Sequence, residues 1–108
     1  MKTSADPIAA RELALYAEND SRLYHRHALP IIANLARKMK RGQYDPEKAV
    51  KAWGYMADEA ARQYCREFCE RGALYHQVFN AATRREAAAQ LEEGYREQVE
   101  DEANKEGK

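Results

Sequence analysis

The chain has 108 residues, enough for one domain with a core of its own. Eighteen Lys and Arg balance eighteen Asp and Glu, which excludes both a general pull toward phosphate and the acidic field of a nucleic-acid mimic. Hydrophobic residues make up 44% and charged residues 33%, with only five glycines and three prolines, a composition of helices rather than of a sandwich or barrel.

The balance hides a gradient. Residues 1–42 carry eight cationic and four acidic groups, whereas residues 83–108 carry five and eight. No stretch approaches the ~20 apolar residues that span a bilayer. The opening "MKTSADPIAARELALY" lacks the uninterrupted apolar run of a secretory signal. With only two cysteines, the expected setting is reducing and cytoplasmic.

Asp6-Pro7 opens the first helix. The carboxylate accepts orphan amides of the first turn, and proline at the first helical position loses nothing. Ile8 and Leu15, with Ala9, Leu13 and Tyr16, fall at helical spacing. "NDS" at 19–21 breaks this helix and offers Asp20 or Ser21 as the next cap. The second helix is expected from about Arg22 to Arg41, with Leu23, His27, Ile31, Leu35 and Met39 every four residues and Ile32 and Ala36 widening the stripe. Pro30 removes one backbone bond inside it, so a kink near His27–Pro30, or two short helices nearly in line, is expected.

Gly42 suits a left-handed stop, and Asp45-Pro46 repeats the starting device of Asp6-Pro7. Arg37, Lys38, Lys40 and Arg41 therefore occupy the end of a helix, where cations complement its dipole. The third helix, "PEKAVKAWGYMADEAARQYCREFCERG", carries the widest apolar face: Val50, Trp53, Ala57, Ala60 or Ala61, Tyr64 and Phe68, broadened by Ala49, Met56, Cys65 and Cys69. That width predicts a central helix, stopped at Gly72. "ALYHQVFNAA" reads as an ordered connection packed on it. "TRRE" reads as a capping box with Thr83 as cap and Glu86 reaching back. Ala87, Ala88, Leu91, Tyr95 and Val99 mark the fourth helix, and residues 100–108 read as a frayed tail.

Cys65 and Cys69 share a helical face, but a structural zinc site needs four ligands, and His25, His27 and His76 show no ligand spacing. No metal or cofactor is expected. His25 and His27 lean about 200° apart, so His27 reads as a core or interface histidine with one hydrogen-bond partner. No nucleophile elbow, phosphate loop or paired-carboxylate pattern appears, and no enzyme activity is expected. Nucleic-acid binding carries more weight. Arg22, Arg26, Arg37, Lys38, Lys40 and Arg41 cluster in one helix, with Arg84 and Arg85 opening another.

The runs "ELALYAENDSRLY", "PIIANLARKMKRGQYDPEKAVKAWGYMADEAARQYCREF" and "FNAATRREAAAQL" together resemble small uncharacterised helical proteins carried by phages and other mobile elements. The similarity covers about Glu12 to Leu91. It implies no activity and transfers no functional residue, but it suggests a protein that acts on a host factor.

The reading is a single all-α domain of four helices, a helical bundle with the third at the centre and the second kinked by proline. Its expected role is non-enzymatic: binding, and inhibiting or modulating, a host protein or nucleoprotein complex, as an anti-CRISPR-type inhibitor does. The expected contact residues are Arg22, Arg26, Arg37, Lys38, Arg41, Arg84 and Arg85. The alternative is a small nucleic-acid-binding or DNA-metabolism accessory protein using the same basic surface. Broad apolar stripes in so short a chain also suggest a homodimer.

Overall fold

Three aspartates start three helical runs. In the computed structural model, which describes residues 4–69 and 75–106, Asp6 Oδ1 accepts the amides of Ile8 and Ala9 at 3.1 and 3.2 Å. Asp20 Oδ1 accepts the Leu23 amide at 3.0 Å, and Asp45 Oδ1 accepts the Glu47 amide at 3.0 Å. The helices are α1 (Pro7–Asn19), α2 (Ser21–Leu23), a π-helical stretch (Tyr24–Ala28), α3 (Leu29–Lys40), α4 (Pro46–Phe68), α5 (Tyr75–Val78) and α6 (Ala81–Glu106). The described residues contain no strand.

Gly42 sits at φ +72°. Its amide donates to the Met39 carbonyl at 3.0 Å, and the Gln43 amide reaches the Lys38 carbonyl at 2.8 Å. This left-handed closure satisfies the last carbonyls of α3, so the cationic cluster ends a helix as the spacing predicts.

The second helical run departs from expectation in an instructive way. It continues through Pro30 to Lys40. The turn before the proline widens, and the Leu29 amide donates to the Tyr24 carbonyl, five residues back. A proline ring crowds the carbonyl four residues before it, and a widened turn makes room there. The extra residue shifts the register. The buried stripe is Leu23, Ala28, Ile32, Leu35 and Ala36, not the predicted four-step, so His27 is displaced to the edge of the core.

Other local readings also change. In α1 the buried residues are Ala10, Leu13, Ala14 and Ala17. Ile8 is 81% exposed and Leu15 lies outside the core; three of the four buried side chains are alanine, which lets α1 sit close around Leu13. Helix α4 ends at Phe68, which is exposed, and the predicted stop at Gly72 lies outside the described residues. The cap of α6 is Asn80, whose Oδ1 accepts the Thr83 amide at 2.8 Å. Thr83 is buried and does a different job: its Oγ1 accepts the Asp6 amide at 3.0 Å, fastening the start of α1 to the start of α6. Glu86 is exposed. The predicted frayed tail is helical to Glu106, since Val99 and Ala103 extend the stripe of Leu91 and Tyr95 by further turns and are buried.

Helix α6 runs antiparallel to α4, as the Asp58–Arg84 and Trp53–Tyr95 contacts require. It runs alongside α1, from Asp6–Thr83 at one end toward Glu18–Gly94. It packs extensively on α1, α3 and α4, whereas α4 scarcely meets α3. Helices α4 and α6 thus share the centre, α4 also meeting α1, α2, α5 and the π stretch. A helix of 26 residues is about 39 Å long and reaches every partner. Twelve of the core side chains are alanine, which lets the backbones approach closely. The Cα envelope is 50 × 32 × 17 Å, so the thinnest direction holds about two helix layers. A slab this thin leaves many helix faces uncovered.

Candidate partner-binding surfaces

Between residues 21 and 44 there are six Lys and Arg and not one carboxylate. Three ion pairs lie elsewhere: Arg62 with Glu59 at 3.5 Å, Arg84 with Asp58 at 2.8 Å, and Arg96 with Glu92 at 2.5 Å. Arg22 and Arg26 are exposed one turn apart across the start of the π stretch. Arg37 and Arg41 are exposed one turn apart at the end of α3, with half-buried Lys38 between them. Arg37 makes one long hydrogen bond, to Asn34 at 3.5 Å. Arg22, Arg26, Arg37 and Arg41 are thus exposed on a stretch that itself holds no carboxylate.

Arg84 does not belong with them. It donates from Nη1 to Asp58 and from Nε to the Phe79 carbonyl at 3.0 Å. Its guanidinium also stacks 5.1 Å from the Tyr75 ring centroid, with Arg62 at 4.9 Å from the same ring. The pair "RR" looks uniform in sequence, but helix α6 directs one arginine inward against α4 and leaves Arg85 exposed.

Arg85 lines a groove of about 240 Å³ between α4 and α6. Glu47, Val50, Lys51, Gly54 and Asp58 face it from α4, and Ala81, Arg84, Arg85 and Ala88 from α6. None of the cations of residues 21–41 lines it. Single-residue reading missed this feature. The only signal in the sequence was Gly54, a glycine in the middle of the strongest helix.

The end of α3 is anchored by a buried acid. Glu92, 3% exposed, accepts from the Tyr44 hydroxyl at 2.5 Å and from Arg96 through both of its oxygens. The Arg96 hydrogen bonds hold its carboxyl below the usual range against the cost of burial. Burial, with the Glu92 bond, pushes the Tyr44 phenol up to about 12. Gln98 donates to the Tyr24 hydroxyl at 2.7 Å. Both ends of the cationic segment are thereby tied to one short stretch of α6, which fixes where its arginines stand.

The candidates for other chemistry do not converge. Burial and a hydrogen bond with Cys69 push the Cys65 thiol up to about 11, away from the thiolate that binds metals and attacks electrophiles. The described residues contain no group of three or more His, Cys, Asp or Glu arranged to hold a metal. His25 Nδ1 bonds the Ser21 carbonyl at 2.7 Å. His27 Nε2 is buried with no hydrogen-bond partner, where one partner was expected; the register shift of the π stretch moved it off the predicted stripe. No described helix is long and apolar enough to cross a membrane.

Comparisons with protein families, with curated proteins and with solved structures find no match.

Proposed function

We propose that this protein is a non-enzymatic, cytoplasmic binding protein that docks an acidic surface of a host protein or nucleoprotein complex, in the manner of a phage-borne inhibitor. Arg22, Arg26, Arg37, Lys38 and Arg41 provide the contact. The observation that carries the reading is the segregation of charge: six cations and no carboxylate over residues 21–44 in a chain of zero net charge, while the arginines at 62, 84 and 96 are each spent on an internal carboxylate. Guanidinium groups that form no ion pair among the described residues, held on a tethered helix, lose little freedom on meeting a carboxylate or phosphate fork.

A second reading, direct nucleic-acid binding as an accessory protein, rests on the same cations. Their span from Arg22 to Arg41 is about 28 Å at helical rise, long enough to follow a phosphate backbone.

The test is quantitative capture from the native host by the wild-type chain and by a variant with Arg37, Lys38 and Arg41 changed to alanine, each with and without nuclease. The proposal expects a partner that survives nuclease and is lost with the variant. A partner lost on nuclease treatment supports the second reading. Equal capture by both chains rejects the surface assignment.

A further inference from the structure

The α4/α6 groove holds a glycine that the fold does not need. A glycine inside a helix costs stability relative to alanine, because its backbone has more freedom to lose. Such a residue is normally explained by something pressing against its Cα. At Gly94 there is such a neighbour, since a Cβ would stand 2.9 Å from Glu18 Oε1, although this is the far end of a flexible side chain. At Gly54 there is none, since a Cβ would meet nothing within 4 Å and the backbone is ordinary helix. Gly54 thus borders open space on this face of α4.

The room has a defined chemistry. Gly54, Val50 and Ala88 form a shallow apolar trough. Within its rim, Asp58 and Arg84 neutralise each other at 2.8 Å. Lys51 and Arg85 remain, with no ion-pair partner among the described residues, against a single acid, Glu47. Glu47 sits in the first turn of α4, where the helix dipole offsets its charge. Arg85 lies in the first turn or so of α6, whose dipole adds to the positive field. Tyr55 stands one turn from Lys51, 72% exposed, with no ring partner among the described residues; tyrosine and arginine are enriched among the residues that anchor interfaces.

Size decides the class of occupant. At about 240 Å³ the groove is below the ~300–1,000 Å³ of pockets that enclose small molecules. It is elongated instead: from Glu47 to Asp58 the helix rises about 16 Å, three turns. That matches an amphipathic helix laid along the seam, with one apolar side chain in the trough and carboxylates over the cations. We propose that the α4/α6 seam is a docking groove for an acidic amphipathic helix of a partner protein, seated over Gly54 and held by Lys51 and Arg85. The groove is separate from the cationic surface of residues 21–41 and does not depend on that surface binding anything.

The test uses the full chain and a fluorescein-labelled synthetic helix of about 16 residues, with leucines at helical spacing and flanking glutamates, read by anisotropy. A second peptide carries lysine in place of every glutamate. The proposal expects saturable binding of the acidic peptide only. Gly54→Leu should weaken it at least about tenfold, and so should the double variant Lys51→Glu, Arg85→Glu. Circular dichroism checks that both variants stay helical. A Cβ at Gly54 meets nothing within 4 Å, so the leucine is expected to leave the core intact, and the dichroism spectrum verifies it. Binding that is equal for both peptides, or indifferent to Gly54→Leu in a folded variant, overturns the proposal. So does absence of saturation at millimolar peptide. Self-association of the chain that Gly54→Leu abolishes would assign the seam to a second copy and likewise overturn it.

Discussion

The Tyr95 ring lies flat against Trp53, with centroids 4.8 Å apart and planes 10° from parallel. The two residues come from antiparallel helices, α4 and α6, and Trp53 is fully buried. In a core built half from alanine, this pair supplies much of the bulk. Replacing Trp53 or Tyr95 with alanine should cost about 3–5 kcal/mol through lost burial and an unfilled cavity. For a domain of this size that lowers the melting temperature by more than ~10 °C. Thermal melting by circular dichroism measures it. Tyr95→Phe keeps the stack and should shift the melt by little. If Tyr95→Ala melts as the wild type does, the stack does not hold α4 on α6.

The buried acid makes stability depend on pH. The Arg96 clamp on Glu92 keeps its folded carboxyl below the ordinary 4.5. The unfolded chain therefore takes up the proton first. The contribution of Glu92 is complete above the ordinary value and drains away as pH falls through it toward the lower folded value. Arg96→Met should destabilise the protein at pH 7 by about 1–2 kcal/mol, a figure kept low because Arg96 is 43% exposed and water screens the pair. The gap between wild type and variant should narrow as the pH falls below 4. Urea unfolding at pH 7 and pH 3.5 checks the sign, and a gap that widens in acid contradicts the assignment.

Two helical glycines should respond differently to the same change. Gly54→Ala gains helix propensity and meets nothing, so it should stabilise the chain by up to about 1 kcal/mol. Gly94→Ala gains the same propensity but must move the Glu18 carboxylate, 2.9 Å from the new Cβ. That carboxylate is the far end of a flexible side chain, so the move is cheap, and a smaller gain near zero is expected. Denaturant midpoints order the three proteins. Destabilisation by Gly54→Ala would show that the fold itself requires the glycine.

The punctuation of this fold was legible because it is local. Asp6, Gly42 and Asp45 each act on backbone groups within a few residues, so their spacing suffices. "NAAT" contains two capping residues, and choosing Asn80 over Thr83 needs the knowledge that α1 claims the threonine hydroxyl. The π stretch was hidden for a related reason: one inserted residue leaves composition unchanged but puts Ala28 in the core and His27 at its edge. For the candidate surfaces, the residue types of the cationic segment could be read directly. The fate of Arg84 could not, because Asp58 and Tyr75 reach it from other elements. The groove over Gly54 exists only once α4 and α6 lie antiparallel.

The two thiols should be distinguishable by rate. Cys65 is buried, and its thiol is pushed up to about 11. At pH 7 its thiolate fraction is then on the order of one in ten thousand. Cys69 caps the end of α4 and is half-exposed. A thiol reagent such as dithionitrobenzoate should release one equivalent quickly from the folded protein. The second should appear only as slowly as α4 opens, or at once in denaturant. Cys69→Ser should abolish the fast phase, and Cys65→Ser should leave it. Two equivalents released together from the folded chain would mean that the end of α4 opens readily and that Cys65 is not part of a closed core.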